Sequence, residues 1–133
     1  MNKYIAGYAA TALVLLALDL FFISIIAMPI YQRGIGHLMA AQPGIPAAVL
    51  FYAVFTLGLM VFAVAPTRTA AWRKTALTAA LFGFFTYATY ELTNLATLRD
   101  WPLHVVAMDL VWGCVVSAAA GTAGRAAMRR LSR

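Results

Sequence analysis

The chain has 133 residues, of which 64% are hydrophobic and 11% charged, and its mean hydropathy is +0.85. A soluble domain carries about 25% charged residues, so this chain has more apolar surface than a core of its size could hide from water, and lipid is the remaining solvent. The net charge of +6 does not point to nucleic acid, because the basic residues sit at the ends of apolar runs and form no groove or aromatic-interleaved patch.

A helix that crosses the hydrocarbon needs about 20 apolar residues, and four stretches meet that requirement. The first, 4–28, follows Lys3 and stops at Pro29. It is too long for a signal-peptide core, contains Asp19 and lacks a small-residue cleavage site, so it reads as a retained span. Residues 30–45 form the one sizeable loop, expected along the interface; its His37 has no assigned role. The second span, 47–65, is preceded by Pro43, Gly44 and Pro46 and closed by Pro66. The third, 76–98, and the fourth, 103–123, flank a tight turn at Arg99-Asp100-Trp101-Pro102. The sequence therefore predicts an all-α fold: a bundle of four transmembrane helices in a single domain.

Lys and Arg favour the cytoplasmic side. With four spans, one side holds Lys3, Arg68, Arg73, Lys74, Arg125, Arg129, Arg130 and Arg133, and the other holds Arg33 and Arg99. Both termini are thus expected in the cytoplasm, the basic tail resting near anionic headgroups. Trp72 and Trp101, at span ends, read as interfacial anchors. Cys114, the single cysteine, lies in an apolar run and reads as a buried structural thiol.

The chain has four acidic residues, and three of them, Asp19, Glu91 and Asp109, fall within spans. Each costs about 2.5–3.5 kcal/mol at mid-span, so solubility does not explain them. Counting from the span ends puts all three about 10–15 Å below the outer rim at 1.5 Å per residue. If their faces converge, they make one site in the non-cytoplasmic half. Tyr87, Tyr90, Glu91 and Asn94 recur at the helical period and share a face, and Tyr52 enters at a comparable level. Asp19 with Phe22, and Asp109 with Trp112, are i, i+3 pairs that set an aromatic ring beside each acid. Arg99 stands outside this set unless it reaches down to the acids, and His104 points about 140° away from Asp109.

Protonation, hydrogen bonds from Tyr and Asn, or a bound cation would each make such acids tolerable. No cofactor is implied. A metal could use the three acids and His104, but the ligand spacings that mark a metal site are absent, so none is assigned. No nucleophile–base arrangement is visible either. Thr86, Thr89, Thr93 and Thr97 read as partners of helix carbonyls. Gly113, Ser117 and Gly121 give small residues at every fourth position, serving either packing within the chain or the seam of a homo-oligomer.

The segments ALDLFF, FYAVFTLGLMVFAVAP, LFGFFTYATYELTNLATLRDWP and MDLVWG, from Ala17 to Gly113, resemble a family of small bacterial membrane proteins, domain of unknown function 2177. In that family Asp often takes the place of Glu91, which preserves a carboxylate. The resemblance implies four spans in a bacterial inner membrane and brings no activity with it. The residues favour a non-enzymatic site that binds or passes a proton, small cation or small amphiphile. A membrane-embedded lipid-modifying enzyme using the same carboxylates, and a purely structural or accessory subunit, are the alternatives.

Overall fold

The computed structural model describes residues 2–132; Arg133 lies outside the described residues. Four helices follow in chain order: α1 (Lys3–Leu38), α2 (Ile45–Val64), α3 (Trp72–Thr97) and α4 (Leu103–Leu131), with no strand among the described residues. Helices α1, α2 and α4 are long and apolar enough to cross a membrane. Helix α3 has the length, 26 residues, but is more polar in composition. Its Thr86, Thr89, Thr93 and Thr97 hydroxyls each donate to the carbonyl one turn back, so they expose no unpaired donor to lipid.

Pro29 does not end the first helix as the sequence suggests. Helix α1 is α-helical over Lys3–Phe21, π-helical over Phe22–Ala27, and α-helical again over Met28–Ile35. Proline lacks an N–H and its ring strikes the carbonyl four residues earlier in a regular helix. The widened turn ahead of it, where the Met28 N–H donates to the Ile23 carbonyl, removes both problems. The connection to α2 therefore shrinks to residues 39–44. At the other end of the chain, α4 runs on to Leu131 instead of stopping near residue 123.

Helix α1 turns Gly7, Thr11, Leu15 and Asp19, spaced by four, toward the bundle interior. The central core joins Leu15, Leu59, Ala79, Val116 and Ala120. Between α3 and α4 the approach is close: a side chain added at Gly83 would overlap the Gly113 carbonyl oxygen and the Ser117 hydroxyl. A methyl at Gly113 would meet the Tyr87 ring, and one at Gly121 would meet Ala79. The small-residue stripe on α4 thus packs against α3 of the same chain, the within-chain one of its two readings. Cys114 beside it is half-buried, not fully buried.

Helix α2 is the loosest partner. Its backbone comes close to α3 chiefly at Met60–Val64. Toward its N-terminus the gap is bridged by rings, with Phe55 centred 5.4 Å from Phe82 and 5.9 Å from Tyr87. The α2–α3 loop is tied down by the Thr67–Thr75 hydroxyl pair at 2.6 Å and by the Arg125 guanidinium, which donates to the Ala70 carbonyl. At the opposite end of the bundle, Asp100 takes a left-handed backbone (φ 60°) in the α3–α4 turn, and its carboxylate meets the His37 ring at 3.2 Å.

Candidate functional site

The three acids of the spans come together in the half of the bundle away from the chain termini. Asp19 and Asp109 are 5% and 7% exposed and Glu91 is fully buried, so none is spread on the lipid-facing perimeter. The Tyr31 hydroxyl lies within electrostatic reach of all three.

Each acid has its own donors. Asp19 accepts from the Tyr52 hydroxyl at Oδ2 (2.6 Å) and from the Trp112 indole N–H at Oδ1 (2.7 Å). Asp109 accepts from the Tyr31 hydroxyl at Oδ1 (2.6 Å). Glu91 accepts from the Trp101 indole N–H at Oε2 (2.7 Å). Its other oxygen, Oε1, is buried with no donor among the described residues, and its ionisable neighbour is the Asp109 carboxyl. Two facing carboxylates repel each other unless a proton or cation stands between them.

The two i, i+3 pairs seen in the sequence interlock across helices. Phe22 and Trp112 stack with centroids 4.2 Å apart and planes 9° apart. Trp112, on the helix of Asp109, donates to Asp19 on α1. That crossed bond fixes where the two acidic faces meet.

Beside these groups lies a cavity of about 550 Å³, walled by all four helices and the α3–α4 turn. Asp19 and Asp109 supply its charge, and Tyr31, Tyr87, Trp101 and Trp112 are among its aromatic walls. No basic side chain lines it. Glu91 stands behind the wall rather than on it. Phe51 and Tyr90, at 43% and 56% exposed, form its rim on α2 and α3, where those helices diverge. The opening therefore faces sideways, between two helices.

Most of the expected set is assembled here, with differences. Tyr52 holds Asp19 from behind the cavity lining. Tyr87 is a half-buried wall packed over Gly113. Tyr90 stacks edge-on against Trp101, 6.2 Å between centroids, and Asn94 sits one turn beyond it, without a bond to any of the acids. His104 is exposed beside Gly34, and Arg99 is exposed in the turn; neither reaches an acid. Among the described residues no group of three His, Cys, Asp or Glu is placed to hold a metal ion. Trp101, read as a headgroup anchor, is instead a donor to Glu91. Tyr31 is an addition, since its position past Pro29 assigned it to a loop.

These bonds make one expectation testable on the fold itself. In Glu91→Gln the amide oxygen still accepts from Trp101 and the amide nitrogen gains a donor for Asp109, so stability should hold or rise. Glu91→Leu strips the Trp101 N–H of its acceptor and should cost about 1–3 kcal/mol. Unfolding in mixed detergent micelles compares the two; equal stability of Leu and Gln variants would remove the bond from the account.

Residues 4–126 match a family model described as predicted membrane protein (DUF2177). No curated protein and no solved structure matches the chain.

Proposed function

We propose, for a chain that belongs to the DUF2177 family of predicted membrane proteins, that the acidic cavity binds a small cationic amphiphile entering from the lipid. The observation that supports this reading is the lining: about 550 Å³, two carboxylates, tyrosine hydroxyls, no basic group, and otherwise rings and apolar side chains. A volume of that order suits a small organic ligand, within the roughly 300–1,000 Å³ typical of such sites. A bare proton needs no such space. Aromatic faces and carboxylates together favour an organic ammonium, by charge and by cation–π attraction of about 2 kcal/mol where water is excluded. The sideways opening at Phe51 and Tyr90 suits a ligand that already has its alkyl chain in the bilayer. In the same proposal, the positive end of the bundle, with both termini, faces the cytoplasm of a bacterial cell and the acidic cavity lies in the outer half of its inner membrane.

The test uses the protein's own fluorescence, because two of its three tryptophans, Trp101 and Trp112, line the cavity. Decyltrimethylammonium added to the protein in nanodiscs should change tryptophan emission saturably, at one ligand per chain. Decanol, with the same chain and no charge, should give only the unsaturable drift of partitioning. Identical curves for the two would refute the reading.

A second reading has one observation in its favour. Glu91 beside Asp109 is a pair of carboxyls that could divide acid and base roles on a lipid held at the sideways opening. It requires that Glu91→Gln alter the lipid composition of cells making the protein; an unchanged lipid profile eliminates it.

A further inference from the structure

At the opposite end from the acids, a second cavity of about 280 Å³ is lined by Lys3, Arg68, Thr69, Met128, Arg129 and Ser132. Three separate parts of the chain bring these residues together. Lys3 opens α1, Arg68 and Thr69 belong to the α2–α3 loop, and the rest close α4. Three cations therefore face one concavity. The chain's acidic side chains, Asp19, Glu91, Asp100 and Asp109, all lie elsewhere, so none is available to neutralise them.

Two of the three cations are held in place by their neighbours. Lys3 and Arg68 both lie over the Tyr4 ring, 5.5 Å and 5.8 Å from its centroid. Arg68 also donates to the Ala65 carbonyl at 2.6 Å, which fixes its guanidinium. Like charges gathered this way favour an anion between them, and the Thr69 hydroxyl with two guanidinium forks suits the oxygens of a phosphate, the Ser132 hydroxyl being turned to the Met128 carbonyl. The surroundings are those of a lipid, since Met128 forms part of the apolar wall and Ile5 and Leu131 stand 61% and 48% exposed nearby.

We propose that the Lys3–Arg68–Arg129 cavity is a binding site for the phosphodiester headgroup of an anionic phospholipid, whose acyl chains lie along the exposed apolar side chains of α1 and α4. This site is separate from the acidic cavity and does not depend on the reading given to it. It differs from diffuse attraction between a basic surface and a membrane because it uses three specific cations out of ten basic residues.

Native mass spectrometry of the protein with phosphatidylglycerol or phosphatidylcholine tests that distinction. The protein should retain one phosphatidylglycerol at activation energies that strip phosphatidylcholine. Each cation in direct contact with the headgroup contributes about fivefold in affinity, the upper value for a partly exposed ion pair. The triple variant Lys3→Gln, Arg68→Gln, Arg129→Gln should therefore lose about a hundredfold. A control triple, Arg73→Gln, Lys74→Gln, Arg130→Gln, removes the same charge from outside the cavity and should keep the bound lipid. The single variant Arg129→Gln, at an exposed position that does not threaten folding, should lose about fivefold. Equal losses in the two triples, or none in either, would overturn the site. Millimolar inorganic phosphate that binds saturably and displaces the lipid would assign the cavity to a soluble phosphate and overturn the lipid as its occupant.

Discussion

Replacing Gly83 by valine is expected to destabilise the protein by about 3 kcal/mol or more, the upper end for overpacking a dense contact. The reason is the nature of what the new side chain meets. Its first carbon already overlaps the carbonyl oxygen of Gly113, which belongs to the backbone of α4 and cannot swing aside. Relief requires the α3–α4 pair to separate, and that pair forms the closest helix contact in the bundle and carries the Tyr87 wall on Gly113. Gly58 provides the comparison. A methyl there meets only the Phe82 ring, which can rotate toward lipid, so Gly58→Ala should cost about 1 kcal/mol or less. Unfolding both variants in mixed micelles checks the difference; a Gly83→Val protein as stable as the native one would show that the two helices do not cross at that point.

The second large effect concerns affinity. Asp19→Asn with Asp109→Asn keeps the shape of both side chains. At position 19 the amide oxygen accepts from Trp112 while the amide N–H donates to the Tyr52 hydroxyl, and at position 109 the amide oxygen accepts from Tyr31, so the bundle should fold. What disappears is the charge of the cavity wall. At an effective dielectric near 20, a unit charge about 8 Å from a bound ammonium contributes about 2 kcal/mol. Losing two such charges should weaken decyltrimethylammonium binding at least about a hundredfold. Tryptophan emission reports it without interference, because neither indole is altered. Unchanged affinity in the double variant would mean that the carboxylates do not face the ligand and that any binding is hydrophobic.

Much of this was legible in the sequence, for physical reasons that differ from residue to residue. Helix number followed from hydrophobic length and proline punctuation. The convergence of Asp19, Glu91 and Asp109 followed from depth, since an acid in lipid must find company and three at one level can find each other. The small stripe of α4 was visible, but its partner was not, because Gly83 and Ala79 are unremarkable in a chain so rich in small residues. Donor assignments were the least accessible. Trp101 has the composition and position of a headgroup anchor, and only the sharp turn made by Asp100 at φ 60° folds its indole back onto Glu91. Trp112 was assigned to the acid of its own helix, whereas its bond crosses to α1. Such choices are made between helices, and periodicity within one helix carries no record of them.

The widened turn at Phe22–Ala27 has a consequence for angular phase. In a regular helix the twelve residues from Asp19 to Tyr31 would leave the two side chains about 120° apart around the axis. A π-helical turn absorbs one extra residue, and the remaining eleven bring that angle down to about 20°. Tyr31 thus returns to the azimuth of Asp19 three turns beyond it, above the carboxylate of Asp109 that it caps. A chain one residue shorter at that turn would cross a bilayer equally well, and its Asp109 would face the cavity with no tyrosine over it.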